Sequence, residues 1–217
     1  MNTRSLIAFG AGALAASSLA VLVASGPEHD DHKHGHHDEP ASMDAMGEMN
    51  PDEMMAAYMA LGEPGPHHEA QMKFAGDWNA RTSFVMDPAD PEAREEGDAT
   101  CLTVAALDGR FMKSEFKSDF MGIPFTGIAY AGYDNARQQH VSIWMDTMST
   151  SITYMTGDYN KDGDLVMEGT AYNPAMGDYQ MKMVYHWHDD NTWSQTFYDQ
   201  MPDGSWFNSG KITYARK

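Results

Sequence analysis

Only one cysteine, Cys101, occurs in 217 residues. No intramolecular disulfide is available, so packing must hold the fold, and the lone thiol is read as a small buried hydrophobe. Basic residues are scarce too: 14 Lys and Arg stand against 32 Asp and Glu, a formal net charge of −18. That charge repels phosphates and anionic headgroups, which excludes nucleic acid as a partner and points to a well-solvated surface. Long helical patterning is missing after residue 74. Also missing are a nucleophile elbow, a phosphate loop and a paired-cysteine metal motif, so no enzyme is expected. If polar groups did act as acid and base, Asp146, Glu168 and His186 would be the candidates, but their alternation suits a solvated face.

One long apolar run is present. Met1 to Arg4 make a short positive start, Leu6 to Ala24 are apolar and small, and Val23-Ala24-Ser25 ends the run on small residues. This pattern reads as a signal peptide over residues 1–25, giving an exported protein, periplasmic or extracellular. The Ala, Gly and Ser content suits a permanent span poorly, so no stable membrane insertion is expected after cleavage. No cysteine follows the run, which argues against lipid anchoring.

Residues 26–50 form an acidic His/Met-rich linker with too little apolar content to build a core, and they read as disordered. His29, His32, His34, His36 and His37 are separated by one to three positions, and Met43, Met46 and Met49 follow at intervals of three. Imidazoles on a flexible chain suit Zn or Cu(II), and thioethers suit Cu(I), so metal buffering by this tail is an alternative function. Asn50-Pro51-Asp52-Glu53 then supplies an N-cap, a proline at the first helical position and an acid at the third. A short helical segment over residues 51–73 follows. Met54, Met55, Tyr58, Met59 and Leu61 form an apolar stripe read as packing, with a stop near Gly62-Glu63-Pro64-Gly65-Pro66. His67 and His68 begin a second helical piece that points Met72 and Phe74 toward the first strand.

From Trp78 onward, candidate strands recur roughly every ten to fourteen residues, separated by turns such as Asp108-Gly109, Asp162-Gly163 and Asp203-Gly204. About ten antiparallel strands in one sheet should curl and close to remove their edges. With a turn at Thr147-Met148, one face collects Val141, Ile143, Met145, Ile152 and Tyr154. It continues through Met167, Gly169 and Ala171, then Tyr179, Met181, Met183, Tyr185 and Trp187, and ends on Trp193 and Phe197. That face is read as the interior. The opposite face holds His140, Ser142, Asp146, Ser151, Thr153, Glu168, Thr170, Gln180, Lys182, His186 and His188. A turn at Asp189 to Asn191 one residue different would bring Thr196 and Tyr198 inside instead.

Gly76-Asp77-Trp78, Leu107-Asp108-Gly109-Arg110-Phe111, Gly122-Ile123-Pro124-Phe125-Thr126-Gly127, Gly132-Tyr133-Asp134, Trp144-Met145-Asp146-Thr147 and Ile212-Thr213-Tyr214-Ala215-Arg216-Lys217 together resemble the bacterial domain-of-unknown-function family 1579, over Met54 to Lys217. The resemblance implies a lipocalin-like fold of the calycin superfamily: all-β, an antiparallel up-and-down barrel over residues 74–217 behind a short N-terminal helix. It also implies that Trp78 closes the barrel base and stacks with Arg216 from the last strand, a cation–π clasp worth about 0.5–2 kcal/mol. No catalytic residue comes with it.

The leading functional expectation is a non-enzymatic exported barrel that holds a small apolar or amphipathic ligand. Candidate wall residues are Met145, Tyr154, Met167, Met181, Met183, Tyr185 and Phe197, with Gly169 and Ala171 leaving room between them. A fully packed core is the competing reading. Haem, with His or Tyr as axial ligand, is disfavoured because His140, His186 and His188 are read as outward. Ligand identity and oligomeric state are not legible.

Overall fold

A computed structural model describes residues 50–174 and 176–217. The expected signal peptide, the five histidines from His29 to His37 and the methionines at 43, 46 and 49 lie outside the described residues.

Helix α1 (Pro51–Leu61) starts where its cap predicts. The Asn50 side-chain oxygen accepts from the Asp52 and Glu53 amides at 3.0 Å each, and Glu53 returns the bond to the Asn50 amide at 3.1 Å. No α1 residue is buried, and Met55, Tyr58 and Met59 are 63%, 66% and 70% exposed. Ala56, Ala57 and Ala60 sit between the large residues, so the helix is apolar on most sides and poorly amphipathic.

A second unit holds helix α2 (Pro66–Gln71), a 3-10 turn at Met72–Phe74 and ten strands: β1 (Gly76–Val85), β2 (Arg94–Ala106), β3 (Phe111–Phe120), β4 (Ile123–Asp134), β5 (Gln139–Asp146), β6 (Thr153–Tyr159), β7 (Leu165–Asn173), β8 (Gly177–Asp189), β9 (Thr192–Gln200) and β10 (Trp206–Arg216). Each strand pairs antiparallel with its chain neighbours, and β1 pairs with β10 to close the barrel. Closure leaves no unpaired edge, the solution expected for so many strands in one sheet.

Period-two alternation in each strand sends one side chain in and the next out. Trp78, Ala80 and Phe84 of β1, Ala99 and Cys101 of β2, and Met112, Phe116 and Phe120 of β3 make one half of the core. Met167 and Ala171 of β7, Tyr179, Met181 and Met183 of β8, Trp193 and Phe197 of β9, and Ile212 and Tyr214 of β10 make the other. The β7 to β9 interior agrees with the sequence expectation, and Thr196 and Tyr198 stay outside.

Strands β5 and β6 are turned over relative to that expectation. Ile143 does pair with Tyr154, but this pair faces outward: Tyr154 is 52% exposed and Ile152 is 62% exposed. Met145 shares their face by alternation, whereas His140 and Met155 are buried, only 4% and 1% exposed. The β5–β6 link keeps Ile143 and Tyr154 on one face, so the flip arises at the link that follows β6. The last β5–β6 pair is Trp144 with Thr153, so the link is longer than a two-residue turn. The link from β6 to β7 runs over residues 160–164, where the Asn160 carboxamide oxygen accepts from the Asp162 and Asp164 amides at 2.9 Å each. Met155, rather than Tyr154, therefore meets Gly169, and a one-residue slip reverses every side chain upstream.

Close approach requires glycine at positions that include 76 and 157. Gly76 has φ of 148°, and a Cβ there would strike the Arg216 guanidinium. At Gly157 a Cβ would run into the Val166 carbonyl oxygen and the Met167 backbone, so β6 and β7 approach closely beside His140.

Candidate functional site

The barrel encloses a cavity of about 150 Å³. Its apolar wall is unusually rich in thioethers: Met112 from β3, Met155 from β6, Met167 from β7, and Met181 and Met183 from β8, each no more than 6% exposed. The chain places them there because inward positions of adjacent strands fall in register, Met167 opposite Met183 and Met183 opposite Phe197. Gly169 and Ala171, expected to leave room in this space, do not line it: a Cβ at Gly169 would strike Met155, and Ala171 borders a separate recess.

One end of the barrel is shut by aromatic packing. The Trp78 indole is fully buried, donates to the Phe74 carbonyl oxygen at 3.0 Å, and packs edge-on against Trp187 and Trp193 with centroids 6.0 Å away in each case. The Arg216 guanidinium lies 4.1 Å from the Trp78 ring centroid and donates to the Ala75 and Lys73 carbonyl oxygens at 2.9 and 3.2 Å. The clasp implied by the family resemblance is thus formed, and it also ties the 3-10 turn to the last strand. From this closure Gln71 and Phe74 reach the cavity. His67 stacks on Tyr133 at 4.0 Å, and the buried His68 accepts from the Gly65 amide through Nδ1 at 3.0 Å.

Toward the other end Trp144 is wall to both this cavity and a recess of about 430 Å³ at the β5–β6 link, bordered by Asp146, Met148 and Tyr172. The Trp144 ring lies over Gly127, where any Cβ would overlap it, and its indole donates to Asp146 Oδ2 at 2.7 Å.

Several polar groups on the cavity wall satisfy one another. The Tyr214 hydroxyl donates to Gln195 Oε1 at 3.4 Å, Gln195 Nε2 donates to the Tyr185 hydroxyl at 3.2 Å, and Thr103 and Ser114 share a hydrogen bond at 2.8 Å. Burial pushes the Tyr185 and Tyr214 phenols well above their usual range, so both stay protonated. His140 is different. It is 4% exposed, its Nε2 has no hydrogen-bond partner, and burial holds its pKa below the ordinary histidine value, leaving a neutral imidazole.

Of the residues expected on the wall, Met167, Met181, Met183, Tyr185 and Phe197 line the cavity, and Met145 and Tyr154 lie on the outer face. The expectation missed Met112, Met155, Gln195, Tyr214 and His140. Gln195 was legible, because it sits between Trp193 and Phe197 on the face already assigned to the interior. His140 was hidden by the β5–β6 flip. Its inward position removes the ground on which haem was disfavoured, but a space of this size does not accept a tetrapyrrole macrocycle. Asp146, Glu168 and His186 do not converge: Asp146 holds Trp144 at the recess end, Glu168 pairs with Lys182 on the outer face, and His186 binds Asp164 at 2.6 Å. Among the described residues no three His, Cys, Asp or Glu side chains are grouped to hold a metal ion, and no helix is long and apolar enough to cross a membrane.

Outside the cavity wall, Asp199 is 4% exposed on the inward face of β9, opposite Met181 and Phe207. Burial raises its pKa to about 7, partly offset by nearby Ser209, although neither Asp199 Oδ1 nor the Ser209 hydroxyl completes a well-formed hydrogen bond.

No curated protein matches this chain. A family model described as "Protein of unknown function (DUF1579)" matches residues 63–216, which include α2 and all ten strands, and the chain belongs to that family.

Proposed function

We propose that this protein is an exported, non-enzymatic barrel that holds one small apolar or amphipathic molecule in its interior. The observation that carries this reading is the thioether-lined cavity, closed at one end by Trp78 and Arg216 and supplied with a few convergent polar groups. A space near 150 Å³ is on the scale that admits a single benzene-sized ring. Flexible methionines around it adjust to such a guest with little strain.

Titration with toluene, followed by thermal shift and calorimetry, tests the reading. Saturable binding with one site per chain is expected. Filling the space with Ala131→Leu should abolish that binding while the far-ultraviolet circular dichroism of the barrel persists, since Ala131 is on the cavity wall. Absence of saturable binding to the wild-type protein would contradict an open interior.

Export rests on the run from Leu6 to Ala24 and its small-residue end. Protein recovered from the periplasmic fraction of a Gram-negative expression host should begin near Gly26. A mature chain that retains Met1 would contradict cleavage.

A further inference from the structure

Resting on the reading of the cavity as a ligand site, we infer that its ligand is a single-ring aromatic molecule bearing one neutral hydroxyl, a phenol, and that the hydroxyl donates to His140 Nε2. Three observations converge. The first is size: a cavity of about 150 Å³ takes one ring and is too small for a long acyl chain or a fused polycycle. The second is the wall. Five methionine thioethers surround the space, and sulfur–aromatic contact favours a flat aromatic guest over an aliphatic one of equal volume.

The third is His140. The polar groups of Tyr185, Gln195, Tyr214, Thr103 and Ser114 have partners within the wall, but His140 Nε2 has none at 4% exposure. Among the described residues, the other fully buried polar atom on the wall without a partner is the Trp193 indole nitrogen, a donor packed among aromatic rings such as Phe74 and Tyr214. Aromatic faces receive an N–H weakly. They offer nothing to a lone pair, and the rings nearest His140, Tyr133 at 5.0 Å and Tyr159 at 5.2 Å, leave that need unmet. With the proton on Nδ1, Nε2 is a buried acceptor awaiting a donor. A carboxylate guest is a poor match, because the cavity offers no fixed cation to offset its desolvation. A neutral O–H meets the need at no charge cost.

Phenol and toluene differ by O–H against CH₃ at nearly constant shape, so their relative affinity isolates the hydroxyl. In the intact wild-type protein phenol should bind about tenfold more tightly than toluene, because it pairs an otherwise orphaned acceptor. His140→Phe keeps a ring between Tyr133 and Tyr159 and should remove that preference while toluene still binds. As a check that needs no variant, the ¹⁵N resonance of His140 Nε2 should move on phenol addition and stay put with toluene. An unchanged phenol-to-toluene ratio in His140→Phe, or a silent Nε2 resonance, overturns the assignment of His140 and leaves the cavity reading intact. Failure of both ligands to bind overturns the cavity reading itself.

Discussion

Trp78→Ala should lower the free energy of unfolding by about 3–5 kcal/mol, the range for deleting a large aromatic from a packed core. Trp78 is the anchor of the closed end. It is fully buried, packs against Trp187 and Trp193, carries the Arg216 guanidinium on its face, and satisfies the Phe74 carbonyl oxygen. Its removal leaves a cavity, an unpaired carbonyl and a guanidinium without its platform, three losses at one place. Since domains of this size are typically stable by about 5–15 kcal/mol, the variant should unfold at much lower urea concentration. Arg216→Lys provides the internal comparison. Its ammonium keeps the charge but loses the planar stack and the fork onto Ala75 and Lys73, so a smaller loss, about 1 kcal/mol, is expected. Equal stability of Trp78→Ala and wild type would mean that the barrel end is not held in this way.

Asp199 gives the largest expected dependence on pH. Its folded pKa is about 7 against the ordinary aspartate value of 3.8, so between those values the folded protein keeps the proton that the unfolded chain releases. Stability from this group is therefore fully present below pH 3.8, declines as pH rises toward 7, and levels off above it. At 1.36 kcal/mol per pKa unit the whole change is about 4 kcal/mol. Asp199→Asn cannot ionise. Its stability relative to wild type should rise by about 4 kcal/mol between pH 4 and pH 8, as measured by urea unfolding at both. Parallel profiles for the two proteins would show that Asp199 is solvated or paired when charged.

Architecture was legible because it rests on many redundant local signals. Asn50 to Glu53 announced a helix start, and the Asp-Gly turns with period-two alternation announced the strands of a closed barrel. The β7 to β9 interior was legible for the same reason, since polar residues such as Glu168, Thr170 and Lys182 mark its outer face. Strand β5 carries no such mark. Val141, Ile143 and Met145 alternate with His140, Ser142 and Trp144, so both faces look partly apolar and the length of the link from β6 to β7 decides which turns inward. Link length is a property of turn chemistry such as the Asn160 carboxamide bonds, which hydrophobic alternation does not encode. Asp199 escaped notice for a different reason: an aspartate following Tyr198 in a polar stretch gives no sign of burial until β8 and β10 are placed beside it.

The interior site is tested most directly by labelling the methionine methyl groups with ¹³C and titrating toluene into the wild-type protein. Saturable shifts are expected at Met112, Met155, Met167, Met181 and Met183, which surround the cavity, with none at Met121, which is 67% exposed. Shifts confined to exposed methionines, or no saturable shift at the five interior methyls, would contradict a ligand site inside the barrel.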